Sequence, residues 1–331
     1  MARVMRAIFQ ERYGQAADVL SLRDVDTPSV GGTSVLVRVQ AASVNPADWH
    51  LMRGDPSIAR LQMGLRRPRK AVLGWDVAGR VEAVGDGVTA FRPGDEVYGS
   101  PFEGGSGAFA DYSLVPEDAL AVKPPSLSFE QAAAVPLPGL TALQGLRDHG
   151  RIASGQKVLI IGASGGVGTF AVQIAKSYRA EVTGVCSARN AELVRSLGAD
   201  RVIDYAREDF ADGGGHFDLI LQVGGTASPA HCRRALTPSG TLVLSSGEPR
   251  GRVFGPVGRM ISGLALSRFV SQRIVTFVMK PKRADLQAMT ELIEAGEVRP
   301  VIDRTFPLAD VPEAIRYLEE GQARGKVVVT V

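Results

Sequence analysis

The sequence predicts an α/β protein in two parts, a mainly antiparallel β domain and a doubly wound parallel sheet. Three observations lead there. As far as about Lys123 the chain is made of short alternating or apolar runs cut by Gly and Pro. Beyond Pro124-Pro125, six apolar, β-branched runs are separated by helix-length segments, the pattern of a parallel sheet covered on both faces. The length of 331 residues accommodates about two domains of roughly 150 residues each.

In the first part the expected strands are MRAIF (5–9), SVLVRVQAAS (34–43), AGRVEAVG (78–85), EVYGS (96–100) and ADYSLVP (110–116). The turn Arg92-Pro93-Gly94-Asp95 precedes EVYG, with Pro fixing φ and Gly permitting a positive one. In the second part the strands are VLIIG, EVTGVCS, RVIDY, FDLILQVG, GTLVLSS and RIVTFVM, with helices over 165–178, 190–197, 228–236 and 282–295. The last stretch starts a helix at Asp310-Val311-Pro312 and ends in KVVVTV, a strand expected to return to the first domain. The domains are thus expected at 1–127 with 281–331, and at 128–280.

Composition narrows the function. Hydrophobic residues make up 45% and charged ones 22%, which excludes a disordered chain. Lys+Arg 38 against Asp+Glu 35 leaves +3, too weak a field to suggest nucleic acid as a partner. Cys186 and Cys232 are too few for a disulfide framework and read as small buried hydrophobes, so a reducing, cytoplasmic setting is expected. His149, His216 and His231 lack metal-ligand spacing and read as surface residues. The N-terminus has no signal-peptide pattern and no apolar run is long enough to span a membrane.

The strongest chemical signal is VLIIGASGGVGTFAVQIAK (158–176), in which a strand enters a glycine-dense turn and then a helix. A dinucleotide fits there. Gly165 lets backbone approach a pyrophosphate, Gly168 lets helix and strand pack closely, and the amides of Gly166 and Val167 at the helix N-terminus face the anion. Ala163 and Ser164 complete the loop, Ala163 replacing the first glycine of GxGxxG with Gly162 just before it. About 20 residues on, where a carboxylate would hold the ribose hydroxyls of NAD, the second strand ends at Cys186 and continues Ser187-Ala188-Arg189. A hydroxyl and a guanidinium there suit a 2′-phosphate, so NADPH is the expected cofactor. Gln222-Val223-Gly224-Gly225 and Ser245-Ser246-Gly247 stand at further strand ends, where ligands bind in open α/β sheets.

VNPADWHLMRGD (44–55), LGWDVAGRVEAVGDGVTAFRPGDEVYG (73–99), GAFADYSLVP (107–116), AAAVPLPGLTAL (132–143) and IIGASGGVGTFAVQIAK (160–176) together resemble the medium-chain dehydrogenase/reductase superfamily, over essentially the whole chain. The similarity is greatest to the zinc-independent quinone oxidoreductase and enoyl or alkenal reductase branch. It implies a GroES-like catalytic domain built from both chain ends, a Rossmann domain between them, and a cleft where nicotinamide meets substrate. Zinc-dependent members carry a Cys at Asn45 and a Gly-His-Glu at Gly74-Trp75-Asp76, so no metal is expected here. Without a Lewis acid the accessible chemistry is hydride transfer to a quinone or an α,β-unsaturated carbonyl, small-molecule electrophiles already activated by conjugation.

The resemblance also suggests roles. Asn45 matches an active-site Asn that could donate to the developing oxyanion, and otherwise is a turn residue before Pro46. His50 stands where this branch often has a Tyr and could orient substrate or relay a proton, or be structural. Asp48 reads as a helix cap. Thr141 matches a residue packed on the nicotinamide ring, Tyr205 one near the 2′-phosphate, and Lys326 is expected near the cofactor. The basic run Arg60, Arg66, Arg67, Arg69 and Lys70 is a solvated loop or a guide for an anionic tail such as coenzyme A. Segment 250–273 is read as a cleft cover or interface. Alternatives are a trans-2-enoyl thioester reductase and a non-catalytic NADPH-binding scaffold or sensor. The apolar strand RIVTFVMK at a sheet edge suggests a homodimer.

Overall fold

The structure, a computed structural model, describes residues 4–55, 57, 60–102, 104–245 and 255–331. The chain opens with β1 (Val4–Gln10), β2 (Leu20–Asp26), β3 (Ser34–Val44), β4 (Val77–Val84), β5 (Glu96–Gly99), β6 (Tyr112–Pro116) and β7 (Leu120–Val122). Next come β8 (Lys157–Ile161), β9 (Glu181–Cys186), β10 (Arg201–Asp204), β11 (Phe217–Gln222), β12 (Leu236–Leu244) and β13 (Arg273–Thr276). It finishes with β14 (Ile302–Pro307) and β15 (Lys326–Thr330).

Two compact units result. The first holds the residues up to Leu140 with Lys280–Ala295 and Pro300–Val331; the second holds Thr141–Met279 and Gly296–Arg299. The first unit extends past 127 because the helix Phe129–Ala133 packs on β3 and β4, and the Leu137 N–H is bound by the Asp76 carboxylate at 2.7 Å. The helix Arg283–Glu294 likewise belongs to this unit.

In the first unit a seven-stranded sheet runs β14-β15-β3-β4-β5-β7, with β6 also on β3. β3 is almost continuously buried because partners and helices cover it, which explains the near-unbroken apolar run SVLVRVQAASV. The returning strand β15 pairs antiparallel with β3, placing Val327, Val328 and Val329, all 0% exposed, in the core. Each valine contributes about 1.5–3 kcal/mol of transfer free energy there. Three strands escape the sequence reading: β2 and β14, half-exposed and rich in charge (LSLRDVD, IDRTFP), so that no alternation of apolar residues marks them, and β7, only three residues long (LAV).

In the second unit all six expected strands form one sheet in the order β10-β9-β8-β11-β12-β13, every pairing parallel. Chain order reverses between β8 and β11. Ligands bind at such a switch point, beyond the C-terminal strand ends. The three helices expected in this unit occupy Gly166–Ser177, Ala191–Ser196 and Pro229–Ala235.

Candidate active site

At the switch point, β8 passes into Gly162, whose φ of +91° takes the left-handed role that the first glycine of the motif would fill. A Cβ on Gly168 would stand 2.0 Å from the Gly162 carbonyl oxygen, so glycine is required for the helix Gly166–Ser177 to lie this close to the loop. At Gly165 a Cβ would find no atom nearer than 3.5 Å. The backbone is bare there, at the helix N-cap, and the N-terminal amides of Gly166, Val167 and Gly168 begin a twelve-residue helix whose positive end suits a phosphate. Ala163 is fully buried beside Gly184 of β9, and Ser164 is only half-buried. These residues fit a dinucleotide.

Neighbouring strand ends complete this region. Ser187 follows β9 in extended conformation, and Arg189 is exposed on the short helix after it. The Tyr205 N–H donates to the Cys186 carbonyl at 3.3 Å, which places the 66%-exposed Tyr205 alongside the tip of β9. Asn190, to which no role was given, is buried and links its Nδ2 to Ser164 Oγ at 3.0 Å, tying the two loops together. Asp204 pairs with Cys186 across the strands but turns back onto its own loop, accepting from the Ala206 N–H and facing Arg207. The Val223 N–H donates to the Ile161 carbonyl, and Gly162 meets Gly224 closely. Thr141 is buried near the start of the second unit. Ser246 lies outside the described residues.

The first unit holds a second cluster, wholly buried and ionic. Lys326 Nζ donates to Asn45 Oδ1 at 2.6 Å, to the Val44 carbonyl at 3.1 Å and to Asp76 Oδ2 at 3.3 Å. Asp76 Oδ2 also accepts from Ser43 Oγ at 2.5 Å and Asn45 Nδ2 at 2.8 Å. Since an ammonium only donates, Lys326 fixes which Asn45 atom is oxygen, and the amide nitrogen is left with Asp76 and the Ser43 carbonyl. Two expectations change. Asn45 does not offer an uncommitted amide N–H, because both hydrogens are engaged inside the protein. Lys326 is not turned to a nucleotide but buried against Asp76, where loss of hydration lowers its pKa against the pull of that carboxylate.

Asn45 also ends β3 and caps the helix Pro46–Arg53, with Asp48 accepting its N–H at 2.8 Å. Asp48 additionally accepts the Gly74 N–H at 2.9 Å and is completely buried, and that burial pushes its carboxyl up to about 7. His50 stacks on Trp49 with centroids 3.7 Å apart. Burial lowers the imidazole to about 4, so at neutral pH it is uncharged and cannot be a cationic proton source, and its Nδ1 has no partner. His149, expected at the surface, is half-buried and stacks on Phe277, while His231 bonds Asp209 at 2.8 Å.

A metal does not fit these residues. The donors nearest the expected metal positions are already hydrogen-bonded to an ammonium, whose charge repels a cation. Among the described residues no group of three or more His, Cys, Asp or Glu could hold one.

A nucleotide loop at the switch point of a parallel sheet in one unit, and a β unit closed by both chain ends in the other, define a dinucleotide-dependent enzyme class. The family described as alcohol dehydrogenase GroES-like domain matches residues 31–125, and that described as zinc-binding dehydrogenase matches 197–329. The chain is 36% identical to a mitochondrial NAD(P)H oxidoreductase from Homo sapiens, covering 99% of this chain and 89% of that one. It is 34% identical to a 2-methylene-furan-3-one reductase from Solanum lycopersicum, covering 98% and 79%. The solved quinone oxidoreductase from Coxiella burnetii superposes with a TM-score of 0.86 at 30% identity, covering 99% of this chain and all of that one. This chain belongs to the medium-chain dehydrogenase/reductase superfamily, in its quinone oxidoreductase-like branch, and is an oxidoreductase that uses a nicotinamide cofactor.

Proposed function

We propose that the protein is a metal-independent, NADPH-dependent reductase of quinones or α,β-unsaturated carbonyls. The observation that carries it is the Lys326 ammonium among Val44, Asn45 and Asp76: an alkoxide-binding Lewis acid has no seat there, so the electrophile must be activated by its own conjugation. The names of the similar reductases point to the same two substrate classes.

When bound, the nicotinamide supplies a hydride. The chain's residues do the rest. Gly165, Gly166, Val167 and Gly168 receive the pyrophosphate, with Ala163 and Ser164 shaping the loop and Val223 and Gly224 under the ribose. Ser187 and Arg189 pair with the 2′-phosphate beside Tyr205, which is the support for NADPH over NADH. Thr141 packs on the nicotinamide, and Ser246 stands with it. As charge develops on the substrate oxygen, His50 hydrogen-bonds as a neutral imidazole, while Asn45 acts as a positioning residue held by Lys326. The one proton that completes the product comes from solvent.

A homodimer through β13 fits an edge strand flanked by exposed Phe269 (85%) and Val278 (62%). No helix among the described residues is long and apolar enough to cross a membrane, and we place the protein in the cytoplasm. The test is NADPH consumption by metal-free protein with a benzoquinone, an alkenal and an enoyl thioester, with NADH as control. Turnover of the first or second with NADPH preferred is expected. Turnover of the thioester alone would transfer the protein to that class, and nucleotide binding without turnover of any would make it a scaffold or sensor.

A further inference from the structure

The basic run that begins at Arg60 divides into engaged and open charges. Its two ends are tied to the protein. Arg60 donates from Nε to the Gly54 carbonyl at 2.9 Å and from Nη2 to the Arg53 carbonyl at 3.0 Å, and its guanidinium lies 4.6 Å from the Tyr13 ring centroid. Lys70 Nζ donates to the Gly105 carbonyl at 3.1 Å and the Phe102 carbonyl at 3.4 Å, 4.8 Å from the Trp75 ring centroid. The turn between these anchors is fixed as well. Tyr13 Oη donates to the Gly64 carbonyl at 2.7 Å, and the Gly64 N–H donates to the Arg60 carbonyl at 2.8 Å. Gly64 takes φ +113°, and a Cβ there would collide with the Arg67 carbonyl oxygen, so glycine is required.

The middle of the run is open. Arg66, Arg67 and Arg69 are exposed, and none forms an ion pair among the described residues. No Asp or Glu occurs from Pro56 to Trp75, so the sequence around them supplies no counter-charge. Two leucines on the same turn also face water, Leu61 at 65% and Leu65 at 68% exposure. Single exposed leucines are ordinary. Two of them flanking Gly64, beside three open guanidiniums and on a turn fastened at both ends, make a patch that is apolar and cationic at once.

That combination selects the occupant. A polyanion in solution would answer the arginines alone, and an apolar protein face the leucines alone. An anionic bilayer answers both, because its phosphates pair with guanidinium forks and its hydrocarbon begins just beneath them. We propose that the turn from Leu61 to Arg69 is a membrane-docking surface of the first unit. Leu61 and Leu65 enter the headgroup boundary of an anionic phospholipid bilayer while Arg66, Arg67 and Arg69 pair with lipid phosphates. The contact is peripheral and reversible, since two leucines bury far less apolar surface than a spanning helix. It stands apart from the reductase reading, because it needs neither nucleotide nor substrate.

The test is partition of the purified full chain onto phosphatidylcholine vesicles, with and without about 30% phosphatidylglycerol in about 0.1 M salt, read by co-sedimentation. Binding about tenfold tighter to the anionic vesicles is expected, with release of the wild type in about 0.5 M salt. Arg66→Gln, Arg67→Gln and Arg69→Gln together should weaken it about 100-fold, each cation near such a surface counting for about fivefold. Leu61→Ser with Leu65→Ser should weaken it about tenfold at unchanged net charge. Arg38→Gln, Arg195→Gln and Arg324→Gln together, a charge-matched control at exposed positions elsewhere, should keep most of the affinity, with thermal unfolding showing that each variant is folded. Equal binding to neutral and anionic vesicles, or a control as damaging as the turn variant, overturns the proposal. So does dependence on the arginines without the leucines, with competition by inorganic phosphate, which would make the turn a site for a soluble anion. Conversion of a dimer to a monomer by the leucine variant, without vesicle binding by the wild type, would instead make the turn a contact between copies and overturn the proposal too.

Discussion

The nucleotide loop of the second unit and the ionic cluster of the first are written into the chain in different ways. The loop is nearly contiguous: Gly165 and Gly168 face Gly162 or Ala163 within seven residues, and Gly162 alone reaches farther, to Gly224. The cluster gathers Ser43, Asn45, Asp76, Leu137 and Lys326, with Lys326 and Asn45 separated by 281 positions. The loop tolerates substitution of its flanks but not of its bare backbone. The cluster depends on charge balance, because each partner is what makes the others bearable inside a dry core.

That contrast can be broken most forcefully at Lys326. Lys326→Met leaves the Asp76 carboxylate buried without its cation, and stability should fall by about 3–5 kcal/mol in urea unfolding. Adding Asp76→Asn to it should recover much of the loss, whereas equal losses for single and double variants would show that charge is not the cause. In the loop, Gly168→Ala forces a methyl against the Gly162 oxygen. About 1–3 kcal/mol of overpacking strain is expected, appearing mainly as weaker nucleotide binding in a fluorescence titration.

A finer probe is Arg189→Gln. Removing a charge-assisted bond worth about 1.5–3 kcal/mol should weaken NADPH at least tenfold and leave NADH unchanged, measured as the two dissociation constants. Equal effects on both nucleotides would remove Arg189 from the 2′-phosphate.

The smallest net effect in the parent protein is one of pH, because two buried groups pull against each other. His50 is lowered to about 4 in the folded protein, so its contribution to stability is lost as pH falls from 6.5 toward 4. Asp48, raised from 3.8 to about 7, holds its proton when folded, so its contribution is present at low pH and lost as pH rises through that window. The two oppose each other. Relative to the parent, His50→Phe should therefore tilt stability downward with rising pH between 4 and 6.5, and Asp48→Asn should tilt it upward, read from thermal midpoints at several pH values. Parallel curves would contradict both assignments.

The same contrast explains what the sequence revealed. The parallel sheet was legible because each of its strands is an apolar, β-branched run bounded by Gly or polar residues, and the loop because strand, glycines and helix lie in order. The half-exposed strands β2 and β14 carry no such signature. In the cluster, Asn45 was recognisable by position, but which atoms it spends, and on whom, depends on Lys326 arriving by way of β15. No local pattern announces that the ARGKVV lysine neutralises Asp76. Asn190 was equally hidden, a polar residue whose partner, Ser164, belongs to a different loop.

The pairing of Lys326 with Asp76 across 250 positions also carries a consequence for biogenesis. Loop closure over that span is entropically costly, and the whole of the second unit is translated between the two charges. During synthesis, Thr141–Met279 can pair its strands as they emerge, while Asp76 waits for its counter-ion. A nascent chain arrested before Lys326 should accordingly guard the parallel sheet against protease and leave the antiparallel one open. The order of translation would thus complete the parallel sheet before Asp76 meets its counter-ion.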